Sequence, residues 1–294
     1  MIATSAVRRL FSLVWLSLIS ISMAVSAAPS DKPPFYQIDY QGQTAYLLGS
    51  IHVGDASFYP LPKPIERAFT QSAGLVVEAD VRGANVAELL AKYGTGKLAM
   101  DQQTKNVMTA YCQDKQRQCA ALENYAPWLQ SMQLSVGRYA ALGYSGEYGI
   151  DAVLVSQAGS KPVYELESTE FQFKLLASFD TKTQWQMVTE AIEAPDSDML
   201  KLITAWRSGN EAELADLMEG EMLRNGETQM VEKMLWGRNE TMAQGIIDLM
   251  QSSSTAKPLF VVVGAGHLVG QKSVQYYLQP FGIKAKNCWK QSCL

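Results

Sequence analysis

The chain of 294 residues contains two histidines, and each follows a glycine by three residues at the end of an apolar run. His52 ends Leu47-Leu48-Gly49-Ser50-Ile51-His52, and His267 follows Val261-Val262-Val263-Gly264-Ala265-Gly266. Imidazole changes charge near neutral pH and is the commonest metal ligand. Taken singly, each segment reads equally well as a capping or loop histidine. Taken together, they hold all the histidine of the protein, and the pattern predicts one shared site. Glu78 is the third member, at the end of Leu75-Val76-Val77-Glu78. A carboxylate among apolar residues is costly unless it is paired or bound to a cation. Its plainer roles are a helix cap or a salt bridge. Two imidazoles and a carboxylate are a common ligand set for a catalytic divalent ion, with one position left for water. Such an ion acidifies its water and polarises a carbonyl. Manganese, cobalt and zinc all suit that set.

Two other hydrolytic designs are excluded. Ser50 lies between Gly49 and His52, but no Gly-x-Ser-x-Gly elbow is present to expose a serine nucleophile. A His-Glu-x-x-His helix is absent as well.

Strands must bring these residues together, because His52 and His267 lie near opposite ends of the chain. Phe35–Tyr40 and Thr44–Gly49 flank a Gln41-Gly42-Gln43 break and read as a hairpin. The runs 75–78, 161–166 and 259–263 are short and apolar, as in strands buried on both faces. A last strand is expected over 282–288. Helices are expected over 64–71, 86–93, 103–115, 127–142 and 150–157, with Asp151 near Gly149 as a cap of the last. A helical insertion follows over 169–250, with helices at 181–191, 196–207, 211–222 and 229–250. Asp180 and Asn210 are suited to cap two of them. Met230, Met234, Met242 and Met250 read as helix core, although the Met-rich helices also suit the apolar wall of a haem pocket. The expected fold is one α/β domain over 29–294. Its mixed sheet is gathered from early, middle and late strands and flanked by helices, with the insertion covering one side as a lid. Ligands in open α/β sheets sit beyond the carboxyl ends of strands, where His52, Glu78 and His267 all fall.

The compartment is also legible. Arg8-Arg9, an uncharged apolar stretch from Leu10 to Val25 and small residues through Ala28 form the pattern of a secretory signal peptide over 1–28. An uncleaved anchor would need an apolar run nearer ~20 residues. The mature chain is therefore expected to be exported, periplasmic or secreted, with no membrane anchor. Four cysteines fall in two close pairs. In an oxidising compartment, Cys112 with Cys119 and Cys288 with Cys293 is the simple pairing, though four cysteines permit three. The net charge of −4 and the lack of a basic stripe argue against a nucleic-acid partner.

The ordered segments resemble the TraB/GumN family. Gly49-Ser50-Ile51-His52 with Leu61-Pro62 is similar to its opening signature, and Val77-Glu78-Ala79-Asp80 to its acidic strand. Leu166-Glu167-Ser168 with Gln172 resembles the central segment, and Arg238-Asn239 with Met242 the late helix. Gly264-Ala265-Gly266-His267-Leu268-Val269-Gly270 resembles the closing signature. The likeness runs from about Phe35 to Gly282. It implies relation to the TIKI proteases and to the wider erythromycin-esterase-like (EreA) and haem-binding ChaN-like proteins. It implies a metal-dependent peptidase that acts on a peptide or other small polar substrate, with His52, Glu78 and His267 as metal-binding and catalytic residues. One of the three could serve as base instead of ligand. Arg238 and Asn239 would hold substrate or a developing oxyanion, or Arg238 would instead pin its helix to Glu78, Asp80 or Glu167. Glu167 and Gln172 would orient a ligand. Two other readings fit the same residues: a haem- or iron-binding protein without hydrolase activity, and a metal-independent ester hydrolase with His52 as general base.

Overall fold

Along Leu259–Gly264, alternate side chains enter opposite cores. Phe260 and Val262 join one, while Leu259, Val261 and Val263 join the other. The run is apolar throughout because both faces of the strand are covered. The computed structural model describes residues 30–293, and the signal peptide expected over 1–28 lies outside the described residues. Six strands form one mixed sheet: β1 (Phe35–Tyr40), β2 (Gln43–Ser50), β3 (Gly74–Val77), β4 (Val163–Glu165), β5 (Leu259–Gly264) and β6 (Lys286–Asn287). Their spatial order is β4-β3-β5-β2-β1-β6. The first two pair antiparallel through a two-residue turn, with Gln41 and Gly42 both at positive φ (49° and 76°). That turn twists in the sense a hairpin needs. β2, β5, β3 and β4 run parallel.

Helices cover both faces, as a parallel sheet requires. Ile65 and Phe69 of the helix Lys63–Gln71, Ile150 and Leu154 of Ile150–Ser156, and Ile203 and Trp206 of Asp196–Ser208 fill the core on the Phe260 face. The opposite face is filled by Met242, Ile246 and Met250 of the helix Gly237–Gln251, with Val274 and Leu278. Beyond the sheet, Pro127–Ala141 packs along Thr181–Glu193, burying Leu134, Trp185 and Val188. The insertion expected to cover one side thus supplies both faces: Asp196–Ser208 packs on one and Gly237–Gln251 on the other.

Several boundaries differ from the sequence pattern. The stretch 211–222 divides into Glu211–Ala215, a π-helical turn Asp216–Gly220 and Glu221–Arg224. The stretch 229–250 likewise carries a π-helical turn at Glu232–Trp236. A single-turn π segment adds about one residue to the turn, and the short apolar stretches on either side still read as helix, so the pattern hides it. The last strand is two residues, not seven: Cys288 donates its N–H to the Phe35 carbonyl (3.0 Å) and the chain then turns into the Cys288–Cys293 disulfide. Further helices lie at Gln116–Leu122, Thr169–Ala177 and Val274–Leu278. Cys112 and Cys119 form the other disulfide. Asp180 and Asn210 cap their helices as expected, accepting from the N–H groups of Thr183 and Glu213. No helix among the described residues is long and apolar enough to cross a membrane.

Trp206 fixes the exit of β2. Its indole N–H donates to the Gly49 carbonyl (2.8 Å) while the ring stacks on Phe58. Trp206→Phe keeps an aromatic ring but removes the donor and part of the indole at a fully buried position, so urea unfolding should show a loss of about 1–3 kcal/mol.

Candidate active site at the carboxyl edge of the sheet

Parallel register puts the candidate residues at one edge. Ser50 lies beside Gly264, and Val77 beside Val262 on one flank and Glu165 on the other. The residues that follow each strand therefore emerge together. His52, Glu78, Arg238 and His267 line one cavity of about 450 Å³.

Glu78 is buried, and each oxygen has a separate duty. Oε1 accepts the Gly264 N–H (2.6 Å) and stands 3.5 Å from His267 Nε2. Oε2 accepts from Arg238 (2.7 Å) and Gln172 (3.1 Å). A Cβ at position 264 would come within 3.1 Å of Oε1, so glycine there admits the carboxylate. Burial alone would raise the Glu78 carboxyl. The Arg238 guanidinium and the protonated His52, with the Gly264 N–H, hold it below the usual carboxylate range.

Arg238 also grips Glu167 in a two-point fork, with both contacts at 2.8 Å, and donates to the Met234 carbonyl (3.0 Å). Each of its three nitrogens has a partner, and the group also lines the cavity. The ion-pair reading of Arg238 is the one the geometry shows, with Glu78 and Glu167 as partners. Asp80 pairs with Arg82 instead. Gln172 bridges Glu78 and Glu167 from the first turn of its helix.

Each imidazole is held from behind. His267 is buried, and its Nδ1 lies 2.5 Å from Asn239 Oδ1. The Asn239 amide nitrogen donates to the Lys272 carbonyl (2.7 Å), which fixes the amide oxygen toward the ring. Nδ1 must therefore carry the hydrogen, leaving the Nε2 lone pair toward Glu78. Asn239 supports His267 and is not among the residues that line the cavity. Burial, against the pull of Glu78, lowers His267 to about 4, so the ring is neutral at neutral pH.

His52 is supported by Asp151, whose Oδ2 lies 2.8 Å from Nδ1. Asp151 caps nothing. It sits in the first turn of Ile150–Ser156 behind the cap residue Gly149. A Cβ at Gly149 would fall 2.5 Å from the His52 carbonyl oxygen, so glycine lets the helix start abut the histidine backbone. Ser50 donates its hydroxyl to Asp151 Oδ1 (2.6 Å) and has no contact with imidazole. The Asp151 carboxylate pushes His52 up to about 9. Burial would raise Asp151 in turn, but the His52 charge and the hydrogen bonds from His52 and Ser50 hold it low. The His52 side chain is 72% accessible, so solvent screens this pair more than the buried Glu78–Arg238 pair. Sequence reasoning missed the role of Asp151. Its only signal was the general need of a functional imidazole for an acceptor at its other nitrogen.

Among the described residues, no three His, Cys, Asp or Glu side chains are placed so as to hold a metal ion together. The donor chemistry nevertheless suits a divalent ion. Metal-bound histidines typically hand their second N–H to a carboxylate or carbonyl, as both do here. Donors about 2.1 Å from a tetrahedral ion stand ~3.4 Å apart, close to the 3.5 Å between His267 Nε2 and Glu78 Oε1.

Two measurements check these assignments. The ring signals of the two histidines should separate in an NMR titration of metal-free protein, His52 titrating near 9 and His267 near 4. Asp151→Asn should return His52 toward its ordinary value near 6.5. Both rings titrating near 6.5 in the unaltered protein would refute the arrangement. Arg238→Met should destabilise the fold by about 3–5 kcal/mol at pH 7, because it strands two buried carboxylates. Glu78 is depressed in the native fold, so its contribution is present above the unfolded carboxylate pKa and fades as pH falls through the folded one. The difference between the two proteins should shrink on acidification.

The sequence model of the TraB/PrgY/gumN family matches residues 34–287. The chain is also 30% identical over 155 residues to the uncharacterized protein YbaP of Shigella flexneri, and 30% identical over 154 residues to YbaP of Escherichia coli strain K12. Each match spans 48% of this chain and 58% of the relative, so the chain covers little more than half the length of these curated proteins. No solved structure matches. The matched span of the family model takes in the hairpin, the four parallel strands and both Gly-x-x-His segments, and the chain belongs to the TraB/PrgY/gumN family.

Proposed function

We propose that this chain is an exported, metal-dependent hydrolase, with the amide bond of a peptide as the bond cleaved. One observation carries the reading: both imidazoles are anchored through Nδ1, to Asp151 and Asn239, and both rings line the same cavity. The two disulfides and the apolar N-terminal stretch support export.

His52 and His267 would hold a divalent ion through Nε2, with Glu78 Oε1 beside them. When bound, such an ion supplies an acidified water and a polarised carbonyl. The protein's own groups do the remaining work. Asp151 and Asn239 fix the ring planes, so that little reorganisation is needed. Arg238 and Gln172 occupy Glu78 Oε2 and keep the carboxylate ionised, which leaves Oε1 as the oxygen able to bind or to take a proton. The buried side of the cleft excludes water from behind His267. Arg238 acts through Glu78 and Glu167.

Purified protein should bind about one equivalent of manganese, cobalt or zinc and cleave unstructured peptides. His52→Ala and His267→Ala should each lower metal retention and cleavage together, by a factor on the order of 100 or more. Asp151→Asn should cost about 10–100-fold in metal affinity. Cleavage that survives exhaustive chelation would point instead to His52 as a general base. A haem absorbance band lost in both histidine variants, without hydrolysis, would make the cleft a haem site.

A further inference from the structure

The cavity has two chemically different ends. All the charge lining it gathers at the sheet edge, on His52, Glu78 and Arg238, with the neutral His267 beside them. The opposite wall is uncharged and mostly apolar, its polar side chains being Ser131, whose hydroxyl donates to the Met187 carbonyl (2.9 Å), Ser135 and the Tyr139 phenol. Met132, Val136 and Tyr139 project from one face of the helix Pro127–Ala141, at spacings of four and three residues. Met218 comes from one π-helical turn, and Met234 and Leu235 from the other. A hydrogen bond from the Trp236 indole to Glu219 Oε2 (2.8 Å) joins those turns, and Glu219 Oε1 accepts the Gln271 N–H (2.6 Å). The apolar wall is thereby tied to the loop that follows His267. Met132 and Val136 are 45% and 51% exposed, although they are large apolar side chains beside a polar site. Apolar surface next to converging polar groups is the usual make-up of a ligand pocket.

We infer that this wall is the specificity subsite of the enzyme proposed above, and that it takes a bulky aliphatic or aromatic side chain of the substrate peptide next to the bond presented to His52, Glu78 and His267. The inference rests on that reading for the identity of the substrate. The wall carries no charge, so a charged side chain placed there would lose hydration without a partner. Three methionines line it, and their flexible thioethers let one pocket accept apolar groups of different shape. Selectivity should therefore run from small to large and be loose among large apolar side chains.

The test is equilibrium binding by calorimetry, with blocked tripeptides that differ only at the central residue: alanine, leucine, phenylalanine or aspartate. The leucine and phenylalanine peptides should bind at least about tenfold more tightly than the alanine peptide, and the aspartate peptide more weakly still. Met132→Glu and Val136→Glu alter exposed positions, so both variants should melt as the parent does and retain the same metal. They should lose most of the preference for the large side chains. Equal binding of the alanine and leucine peptides, or a preference unchanged in both variants, overturns the inference. So does tight binding of octanoyl-glycine with no binding of any peptide, which would assign the wall to an acyl chain. Absence of metal and hydrolysis alongside an intact preference defeats the enzymatic reading and leaves the apolar subsite standing.

Discussion

Burying two carboxylates at the ends of neighbouring parallel strands is unfavourable unless a cation is buried with them. Arg238 is that cation. Glu78 follows β3 and Glu167 lies just past β4, while Arg238 begins the helix that covers the opposite face of the sheet from Trp206. One guanidinium therefore sets the relation between two strand ends and one helix layer. The next residue on that helix, Asn239, orients His267, so the ion pair and the imidazole share a single support. Loss of the pair would unseat the helix register and the ring together.

The second support comes from the other side of the sheet and is built differently. Asp151 reaches His52 from a short helix whose first N–H, on Ile150, donates to the Ile51 carbonyl (3.0 Å). The histidine backbone and the histidine ring are thus held by the same two turns of chain. A carboxylate stands behind His52 and a neutral amide behind His267. This difference, with the deeper burial of His267, sets the two rings apart in charge.

Much of this was legible in the sequence. The uninterrupted apolar runs identified buried strands, and parallel strands place the residues after their carboxyl ends at one edge, so the meeting of His52, Glu78 and His267 followed from pattern alone. The partners of those residues were harder to read. Asp151 lies 99 residues from His52, and in sequence it looks like any acid near a helix start. Arg238 offered two readings because a guanidinium serves substrate and ion pair equally well. Only the positions of Glu78 and Glu167 decide between them. The π-helical turns were invisible because the short apolar stretches on either side of the extra residue still read as helix. Met234, expected in the helix core, packs against the cluster of Val231, Leu235 and Trp236 and also lines the cleft, while Met242 and Met250 lie in the core. Local periodicity encodes the elements; the charge pairing that fixes them is a property of distant residues.

The balance of charge at the edge bears on what the site can hold. Three carboxylates, Glu78, Glu167 and Asp151, face two cations, Arg238 and protonated His52, with His267 neutral. The cluster carries one uncompensated negative charge while His52 keeps its proton. When His52 releases it, the excess becomes two. A neutral His52 beside Asp151 is unfavourable in the isolated protein, which is why the ring is held protonated to about 9. A divalent cation at Nε2 would replace that proton and neutralise the excess. On the reading proposed above, such a cation would take the place of the Nε2 proton and leave the Nδ1 hydrogen bond to Asp151 in place, whereas a neutral ligand gains nothing from displacing the proton.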